Sequence, residues 1–368
     1  MQERKIPFFN YPALFAAKKE AYMAEIERVL TSGYYIMGPD LVEFERELAR
    51  YLKVKHVIGV ADGTMALMCG SKAAGIEPGD EVLVSAHTFV ASAAAVHHAG
   101  GVPVPVDCGE DHLMTGDAAR AAMTSRTRGI MPVQLNGRTT NMDPIMELVR
   151  EHDLILVEDS CQALGSSYDG TFAGTFGHAG TFSFYPSKTL GCFGDGGAVC
   201  TNDDEIAERI RLLRDHGRLA DGNVATFGYN ARLDNLHAAV LLFKLRTYDD
   251  DVATRRRLAG VYDSRLSEMS QLRLPPAPDA DPKHFDVYQN YEIDAEDRDS
   301  LREHLASKGI GTILQWGGRT LNQLSVLGDA VSLPINDAMT KTYLMLPMNT
   351  SLTDDDVHYV CDSIQSYY

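Results

Sequence analysis

The sequence lacks the features that mark several large classes of protein. Its 368 residues contain no run of about 18 apolar residues, the length that a membrane-spanning helix needs. The N-terminal segment MQERKIPFFNYP has no apolar stretch of the kind found in signal peptides. Positive charge is also scarce, because 34 Lys and Arg oppose 51 Asp and Glu, for a net charge of −17. This balance argues against nucleic acid or a membrane as a partner.

Cysteine pairs are absent too, since no C-x-x-C motif occurs. Scattered cysteines fit reduced thiols, so we expect a cytoplasmic protein. The six are Cys69, Cys108, Cys161, Cys192, Cys200 and Cys361. Two adjacent histidines, His97 and His98, are followed by no carboxylate or cysteine at ligand spacing, so the sequence predicts no metal site.

Two glycine-rich signatures of nucleotide binding are missing. No G-x-G-x-x-G follows the first predicted strand, and no G-x-x-x-x-G-K-[ST] occurs anywhere. Dinucleotide-binding and P-loop functions therefore lose their main support. The chain shows no internal repeat or flexible linker, and its length suits about two domains.

What is present is an alternation of short apolar strands with amphipathic helices. The predicted strands cover 56–61, 81–85, 102–106, 129–133, 154–158, 180–184 and 198–201. Nearly continuous apolar strands that alternate with helices are typical of a mostly parallel sheet covered on both faces.

The last third of the chain reads as a smaller α/β unit. A long helical stretch over 234–266 leads to the proline-rich segment 274–282. After it we predict a strand, a helix, a strand and a final helix, at 287–293, 300–308, 310–314 and 353–364. We therefore expect a large domain over 12–250 and a small C-terminal domain over 251–368. We also expect N-terminal residues 1–30 to pack on the small domain.

The segment TFSFYPSKTLGCFGDGG, residues 181–197, places Lys188 on a loop just after a predicted strand. Ser183, Ser187 and a glycine-rich turn flank it. A lysine in this setting suits a Schiff-base nucleophile. Its amine, with a pKa of about 10.4 when free, attacks a carbonyl at neutral pH only if burial or neighbouring charge lowers that pKa. The alternative is a surface lysine in a turn.

An apolar strand over 154–158 delivers Glu158 and Asp159 to the edge where open α/β sheets bind ligands. An aspartate at this place can pair with a protonated pyridine nitrogen and keep a pyridoxal ring cationic. The alternative is that Asp159 caps the turn that follows it.

Two further strand ends carry candidate residues. Asp62, Gly63 and Thr64 open a helix whose free N–H groups suit a phosphate, although many α/β proteins have such a turn and bind nothing there. Phe89 follows another strand, where its ring can stack on a planar cofactor or pack in the core.

The segment FGYNARLDN, residues 227–235, opens the long helical stretch with several polar side chains. A helix of this length is a plausible subunit contact, so Asn230 and Arg232 are candidates to reach a neighbour's site. Together the strand ends supply a phosphate cup, a stacking ring, a pyridinium partner and a lysine, in that order. This joint occurrence favours a pyridoxal phosphate (PLP) site.

These segments resemble those of the DegT/DnrJ/EryC1/StrS sugar aminotransferases. The resemblance runs nearly end to end, through SGYYIMGPDLVEFE, ADGTMAL, HTF, EDSCQALG, SFYPSKTLGCFGDGG and YNARLDNLHAA. It implies the fold of type I PLP enzymes, like that of aspartate aminotransferase, with a large mostly parallel sheet and a small C-terminal α/β domain.

The resemblance also implies roles around the cofactor ring. Lys188 would hold PLP as a Schiff base and move protons between substrate and cofactor. Asp159 would pair with the pyridine nitrogen, and Gln162 would bond the ring 3′-oxygen. Phe89 would stack on the ring.

The phosphate contacts implied by the resemblance come from two subunits. Gly63, Thr64 and Ser183 would hold the phosphate within one chain. Asn230 of the partner subunit would complete the cup, which makes a homodimer with a shared active site the smallest working unit.

The implied reaction consists of two half-transaminations. An amino acid, expected to be L-glutamate, gives its amino group to the cofactor. The group then passes to a keto sugar, expected to be a nucleotide-linked 4-keto- or 3-keto-6-deoxyhexose. A keto-cyclitol acceptor, a PLP- or PMP-dependent sugar dehydration, and simple metabolite binding are the alternatives. Relatives that dehydrate carry histidine in place of the lysine, so Lys188 favours transamination.

One segment departs from the family pattern. Where relatives carry a histidine–tyrosine–proline segment near the substrate, this chain has ILQWGGRTLNQ, residues 313–323. Trp316 and Arg319 are our candidates for substrate contact there, because a guanidinium suits a diphosphate or a carboxylate. A surface position for Arg319 is the alternative. The glycine-rich turn reads GDGG, where many relatives have GEGG, and we assign Asp195 no role.

Overall fold

A computed structural model describes residues 4–328 and 331–368 of the chain. Three sheets are built from strands that alternate with helices. The strands are β1 (His56–Val60), β2 (Glu81–Ser85), β3 (Val102–Val106), β4 (Thr127–Met131), β5 (Ile155–Asp159), β6 (Ser167–Tyr168), β7 (Thr171–Phe172), β8 (Ala179–Ser183), β9 (Gly197–Thr201), β10 (Leu272–Arg273), β11 (His284–Phe285), β12 (Tyr291–Ala295) and β13 (Tyr343–Leu346).

The helices range from two turns to five. They are α1 (Tyr11–Ala17), α2 (Lys19–Ser32), α3 (Pro39–Leu52), α4 (Gly63–Ala73), α5 (Val90–Ala99), α6 (Gly116–Ala122), α7 (Met142–His152), α8 (Asp204–Arg214), α9 (Asn235–Leu245), α10 (Tyr248–Leu266), α11 (Arg298–Ser307), α12 (Pro334–Met339) and α13 (Asp354–Gln365). Within the described ranges, none of them is both long and apolar enough to span a bilayer.

The largest sheet has seven strands in the order β1-β9-β8-β5-β4-β2-β3. Only β9 runs against the others, because it pairs antiparallel with both β1 and β8 while the remaining pairs are parallel. The carboxyl ends of the other six strands therefore meet at one edge. Each predicted strand of this sheet is present, with its ends displaced by no more than two residues.

Helices cover both faces of this sheet, as the apolar strands require. On β5, Val157 packs in a cluster with residues of α4, α5 and α8. Its neighbour Leu156 packs in a different cluster, with residues of α6 and α7. Successive side chains of a strand point to opposite faces, so Glu158 and Asp159 at the end of β5 also face opposite ways.

The small antiparallel sheet β10-β12-β13 forms a second core with α10, α11 and α13. Helix α10 contributes to both cores. Tyr248 and Val252 at its start lie in a cluster of the large sheet, whereas Leu258 and Tyr262 lie in that of the small sheet. The predicted domain boundary, between residues 250 and 251, falls in the first turn of this helix and stays a prediction.

The N-terminal segment divides between the two cores. Ile6 bridges Ile310 and is buried in the small-sheet cluster. Helix α2 instead packs against α9 of the large domain. The residues around Ile6 are thus the part of segment 1–30 that lies on the small domain, while residues 1–3 fall outside the described range.

Two helix and strand boundaries differ from the sequence prediction. The helix expected over 234–266 is two helices, α9 and α10, because the chain turns at Thr247, whose φ is −122°. The strand expected at 287–293 begins only at Tyr291, since Tyr288 adopts a left-handed φ of 48° that an extended strand does not accommodate.

The strand predicted at 310–314 was wrong. Ile310 makes an isolated bridge to Ile6 on one side, and Ile313 makes another to Met345 on the other side. Because the segment changes partner between these residues, no continuous ladder forms there. Strand β13, which the sequence pattern missed, pairs with β12 instead.

Glu158 ties a loop to the end of the large sheet. Its carboxylate accepts hydrogen bonds from the backbone N–H groups of Gly174 at 2.8 Å and Phe176 at 2.7 Å, and from Gln134 Nε2 at 2.8 Å. The side chain is fully buried. All these partners are donors, so the position requires an acceptor on both oxygens.

We expect Glu158→Gln to lower the free energy of unfolding by about 1–3 kcal/mol, because one amide N–H₂ would face buried donors. Glu151→Gln is the matched control, since that carboxylate pairs with Arg120 at the surface and should matter by no more than about 0.5 kcal/mol. Urea unfolding of the three proteins at one concentration measures the difference. Equal midpoints for wild type and Glu158→Gln would contradict this role.

Candidate active site

A cavity of about 650 Å³ opens at the carboxyl edge of the large sheet. Its size is that of a site for a cofactor or another small molecule. Most of the residues predicted from the sequence line it. These are Gly63, Thr64, Phe89, Asp159, Gln162, Ser183, Lys188 and Trp316. Asp195, which was given no role, lines it as well.

The N-terminus of α4 forms one end of the cavity. Asp62 caps the helix by accepting a hydrogen bond from Met65 N–H at 2.8 Å. A Cβ on Gly63 would lie 2.8 Å from the Cβ of Ser183. Only glycine therefore lets the start of α4 approach the end of β8 so closely. The first N–H groups of the helix and the Ser183 hydroxyl come together in a place that suits a phosphate.

Asp159 lies at the centre, on the face of β5 opposite to Glu158. Its Oδ2 accepts a hydrogen bond from Ser92 Oγ at 2.7 Å, and its Oδ1 accepts one from Cys161 N–H at 3.2 Å. The carboxylate thus caps its own turn and also lines the cavity, so the two alternatives from the sequence are compatible. A buried carboxylate held in this way fits a positively charged ring nitrogen.

Lys188 reaches the cavity from the loop after β8. Burial lowers the pKa of its amine, and the nearby Cys161 and Asp159 oppose that shift only in part. Lys188 is half-buried and lines the cavity, so the surface-lysine alternative does not describe its position. A lowered pKa gives the amine more of the unprotonated form that attacks a carbonyl.

The loop that carries Lys188 is held by Gln289, a residue that sequence reasoning missed. Its Nε2 donates to the carbonyl of Ser187 at 2.7 Å, and its Oε1 accepts from Thr189 N–H at 2.6 Å. One amide therefore bonds the residues on both sides of Lys188. No local signal marks Gln289, because it lies 101 positions after Lys188 in the sequence and contacts the lysine loop only in the folded protein.

Two aromatic side chains border the cavity. Phe89 is 52% exposed, which rules out the core-packing alternative for its ring. Trp316 packs against Val133 and Leu135 and lies 5.1 Å from the ring of His87. Both rings line the cavity.

Three candidate residues, Asn230, Arg232 and Arg319, do not line this cavity. Asn230 is exposed, and its Oδ1 accepts a hydrogen bond from Arg232 Nη2 at 2.6 Å. Arg319 is exposed as well. The phosphate contact predicted for Asn230 of the partner subunit stays a prediction.

Known proteins with similar sequences agree with the function that the cavity geometry indicates. The sequence profile of the DegT/DnrJ/EryC1/StrS aminotransferase family matches residues 16–365. The chain belongs to this family. It is 39% identical to a dTDP-3-amino-3,4,6-trideoxy-alpha-D-glucose transaminase of Streptomyces venezuelae, over 99% of this chain and 96% of that protein.

Two further relatives agree with this assignment. A UDP-2-acetamido-2-deoxy-3-oxo-D-glucuronate aminotransferase of Pseudomonas aeruginosa is 34% identical, over 98% of this chain and 99% of its own length. The crystal structure of S. venezuelae DesV, in complex with a ketimine intermediate, superimposes with a TM-score of 0.94 at 38% identity, over 99% of this chain and 98% of that one.

The predicted family, fold, enzyme class and cofactor are thereby confirmed. The chain is a PLP-dependent aminotransferase with the type I fold, and solved relatives carry the amino form of the cofactor, pyridoxamine phosphate. The cavity fits the cofactor on its own evidence: the close approach at Gly63 brings the N-terminus of α4 and the Ser183 hydroxyl together at one end, and Asp159 and Lys188 line the same space.

Behind Trp316, the aminotransferase contains a buried polar cluster that the sequence did not reveal. Glu292 of β12 accepts hydrogen bonds from His87 at 3.1 Å and from His112 at 2.8 Å. The other nitrogen of His112 bonds Asp294 at 3.0 Å. The three groups His87, His112 and Glu292 are of the types that bind metals, but here their ligand atoms bond directly to one another.

The two carboxylates of this cluster favour the protonated form of His112. Burial lowers the pKa of His112, but hydrogen bonds to Asp294 and Glu292 outweigh it and raise the pKa to about 10. Burial raises the pKa of Glu292, but the two histidines outweigh that effect and lower it. A protonated His112 thus links the loop after β3 to the small domain.

We expect His112 to stabilise the protein in a pH-dependent way. Its pKa is about 10 when folded and about 6.5 when unfolded, so its contribution is complete below pH 6.5 and disappears as pH rises towards 10. The loss of unfolding free energy in His112→Asn should therefore be largest near pH 6.5 and shrink steadily up to pH 10. Chemical denaturation across this range gives the measurement.

His152→Asn is the control, because His152 lies at the surface end of α7 beside Glu151. Its difference from wild type should not change between pH 8 and pH 10. A His112→Asn difference that stays constant from pH 6.5 to pH 10 would show that His112 is not held in its protonated form.

Proposed function

We propose that this aminotransferase transfers an amino group from an amino acid, L-glutamate in the first instance, to a nucleotide-linked keto-deoxyhexose. The observation that carries the proposal is the convergence of Lys188, Asp159 and the N-terminus of α4 on one cavity. The names of both curated relatives place the amino or oxo group on carbon 3 of a nucleotide-linked sugar. We therefore take a 3-keto sugar as the first candidate and a 4-keto sugar as the second.

When bound, PLP supplies an electron sink for the carbon that gains or loses the amino group. We propose that Lys188 Nζ holds and moves the proton at that carbon, for which its lowered pKa is suited. Asp159 keeps a proton on the ring nitrogen. Gln162 bonds the ring 3′-oxygen, and Phe89 covers the face of the ring.

Gly63, Thr64 and Ser183 are proposed to hold the cofactor phosphate. Gly63 and Thr64 contribute as the first residues of α4, where backbone N–H groups and the helix dipole favour an anion. Trp316 is proposed as a sugar contact because its ring lines the same cavity. Arg319 is exposed and does not line the cavity, so the same role is not proposed for it.

We also propose a homodimer in which Asn230 of the partner subunit completes the phosphate cup. Several large apolar side chains are exposed on the single chain, as expected for a surface that a second copy covers. Phe227, three residues before Asn230, is 93% exposed. Tyr34, Tyr35 and Ile36 are exposed as well.

A cytoplasmic location is the last part of the proposal. All six cysteines are unpaired, and five of them are buried. Buried free thiols without any disulfide are typical of reducing compartments.

The first test is attachment of the cofactor to Lys188. Pure protein with PLP should show the visible absorbance of a Schiff base, which L-glutamate removes. Borohydride reduction and peptide mapping should place the cofactor on Lys188. Lys188→Arg should lower turnover by about 10²–10⁴-fold or more, since proton transfer is lost as well as attachment.

Lys244→Arg is a matched control, because burial lowers the pKa of Lys244 too but its Nζ bonds the carbonyl of Gly191 outside the cavity. This variant should keep the cofactor on Lys188. Labelling of Lys244 in the wild type would overturn the assignment of the lysine.

The amino acceptor is identified in the second half-reaction. Enzyme loaded by L-glutamate is mixed with 3-keto and 4-keto nucleotide sugars, and with a keto-cyclitol. Return of the Schiff-base absorbance with a nucleotide sugar supports the proposal. Return with the cyclitol alone would replace it, and release of water without amine transfer would indicate a dehydratase.

Shared sites are tested by mixing two inactive variants. Lys188→Ala lacks the lysine, and Asn230→Asp places a negative charge against the phosphate. After subunit exchange, each mixed dimer has one intact site, so activity should return to about a quarter of wild type for random reassortment of a two-fold dimer. No recovery in mixed dimers isolated by two different affinity tags would show that Asn230 serves its own chain.

A further inference from the structure

The buried carboxylate of Glu292 accepts hydrogen bonds from two amide side chains. Asn136 Nδ2 donates to its Oε1 at 3.1 Å, and Gln315 Nε2 donates to its Oε2 at 2.9 Å. His87 and His112 donate to Oε1 from the other side. An ionised carboxylate accepts hydrogen bonds and donates none. Both amides must therefore turn their N–H₂ groups toward Glu292.

This orientation is passed on to a third amide. With its Nδ2 on Glu292, Asn136 presents Oδ1 in the opposite direction. That oxygen accepts from Gln315 Nε2 at 2.7 Å and from Asn290 Nδ2 at 2.8 Å. Asn290 must therefore place its N–H₂ group toward Asn136 Oδ1.

Gln162 stands at the end of this series, at the wall of the active-site cavity. Its Oε1 accepts from Asn136 N–H at 3.0 Å and from Asn290 Nδ2 at 3.2 Å. Its Nε2 donates one hydrogen to Gln315 Oε1 at 3.3 Å. The oxygen of Gln162 is thus occupied by two donors on the protein side, and its second N–H remains for a ligand in the cavity.

We propose that Glu292, Asn136, Asn290 and Gln315 are positioning residues that hold Gln162 with its N–H₂ group toward the cofactor ring. We refer to these four residues as the amide relay. The inference rests on the proposed contact between Gln162 and the ring 3′-oxygen. It extends that contact, because an oxygen that accepts needs a donor, and the relay decides which end of the Gln162 amide faces it.

Burial makes the relay directional. Asn290, Glu292 and Gln315 are all less than one-tenth exposed. A reversed amide at Asn290 or Gln315 would place donor against donor or acceptor against acceptor, in a position where burial keeps water from compensating. The relay also depends on both domains, since Asn136 follows β4 whereas the other three residues belong to the C-terminal third.

The decisive variant is Asn290→Asp, which replaces the relay's inward N–H₂ by an acceptor of the same shape. The new carboxylate then opposes Gln162 Oε1, whereas Asn136 N–H and Gln315 Oε1 still favour the original orientation. The Gln162 amide should therefore lose its single orientation and no longer present only its N–H₂ group to the cofactor. We expect the PLP dissociation constant to rise by about tenfold, which corresponds to the loss of one hydrogen bond. The absorbance maximum of the bound cofactor should shift as well. Apo-enzyme titrated with PLP gives both readouts, and they do not depend on catalytic activity.

Asp294→Asn is the matched control. Asp294 is hydrogen-bonded to His112, Arg273 and Thr342 and forms no hydrogen bond with the four residues of the amide relay. Asp294→Asn therefore alters the charge of the same cluster without changing a hydrogen bond of the relay. It should leave the absorbance maximum in place and change the PLP dissociation constant less than twofold.

A double-mutant cycle separates positioning from a general effect on folding. Gln162→Leu removes the amide that the relay is proposed to position. In that background Asn290→Asp should produce no further change in dissociation constant or absorbance. An equal change with and without Gln162 would overturn the proposal. Wild-type behaviour of Asn290→Asp in the presence of Gln162 would do so too.

Two further outcomes are distinguishable. If Gln162→Leu alone leaves both readouts unchanged, the proposed ring contact fails, and the relay's role fails with it. If Asn290→Asp does not fold, Glu292→Gln replaces it, with the same dependence on Gln162 expected. Stoichiometric metal in the purified protein, lost in His87→Ala, would instead make the cluster a metal site and overturn the inference.

Discussion

The common direction of six strands in the large sheet is the constraint on which the site depends. Because their carboxyl ends meet at one edge, loops far apart in sequence converge there. Gly63 comes from the end of β1, Phe89 from that of β2, Asp159 from β5 and Lys188 from β8. The single reversed strand, β9, brings Asp195 to the same edge from its beginning. No one segment of the chain builds the cavity.

Alternation along β5 gives adjacent acids separate functions. Glu158 faces away from the cavity, and its carboxylate accepts hydrogen bonds from backbone N–H groups of a loop. Asp159 faces the cavity and is held by Ser92 and Cys161. Sequence places both at the strand end, and the two-residue period of a strand is what separates them. The neighbouring structural acid also fixes the end of the strand that delivers Asp159.

The C-terminal third acts on the active site from behind. Gln289 holds the backbone on both sides of Lys188, while Glu292 orients amides that end at Gln162. These groups are buried, so each hydrogen bond has a defined direction and a lost partner is not replaced by water. The C-terminal third therefore holds the lysine loop and one wall of the cavity, and it also contributes Trp316 to the cavity lining.

Sequence by itself determined the parallel α/β sheet, the family and most of the cavity residues. Local apolar periodicity and the spacing of motifs such as those around Asp159 and Lys188 report on strand ends directly. Tertiary structure decided the rest. Residues 310–314 include three large apolar side chains but divide their pairing between Ile6 and Met345, so they form no strand. Gln289 lies about 100 positions from the loop that it holds, and Glu292 lies 156 or more positions from Asn136, His112 and His87, so neither carries a local signal. The roles of Gln289 and Glu292 depend on folding, because burial excludes water and each buried donor must then bond to an acceptor of the protein.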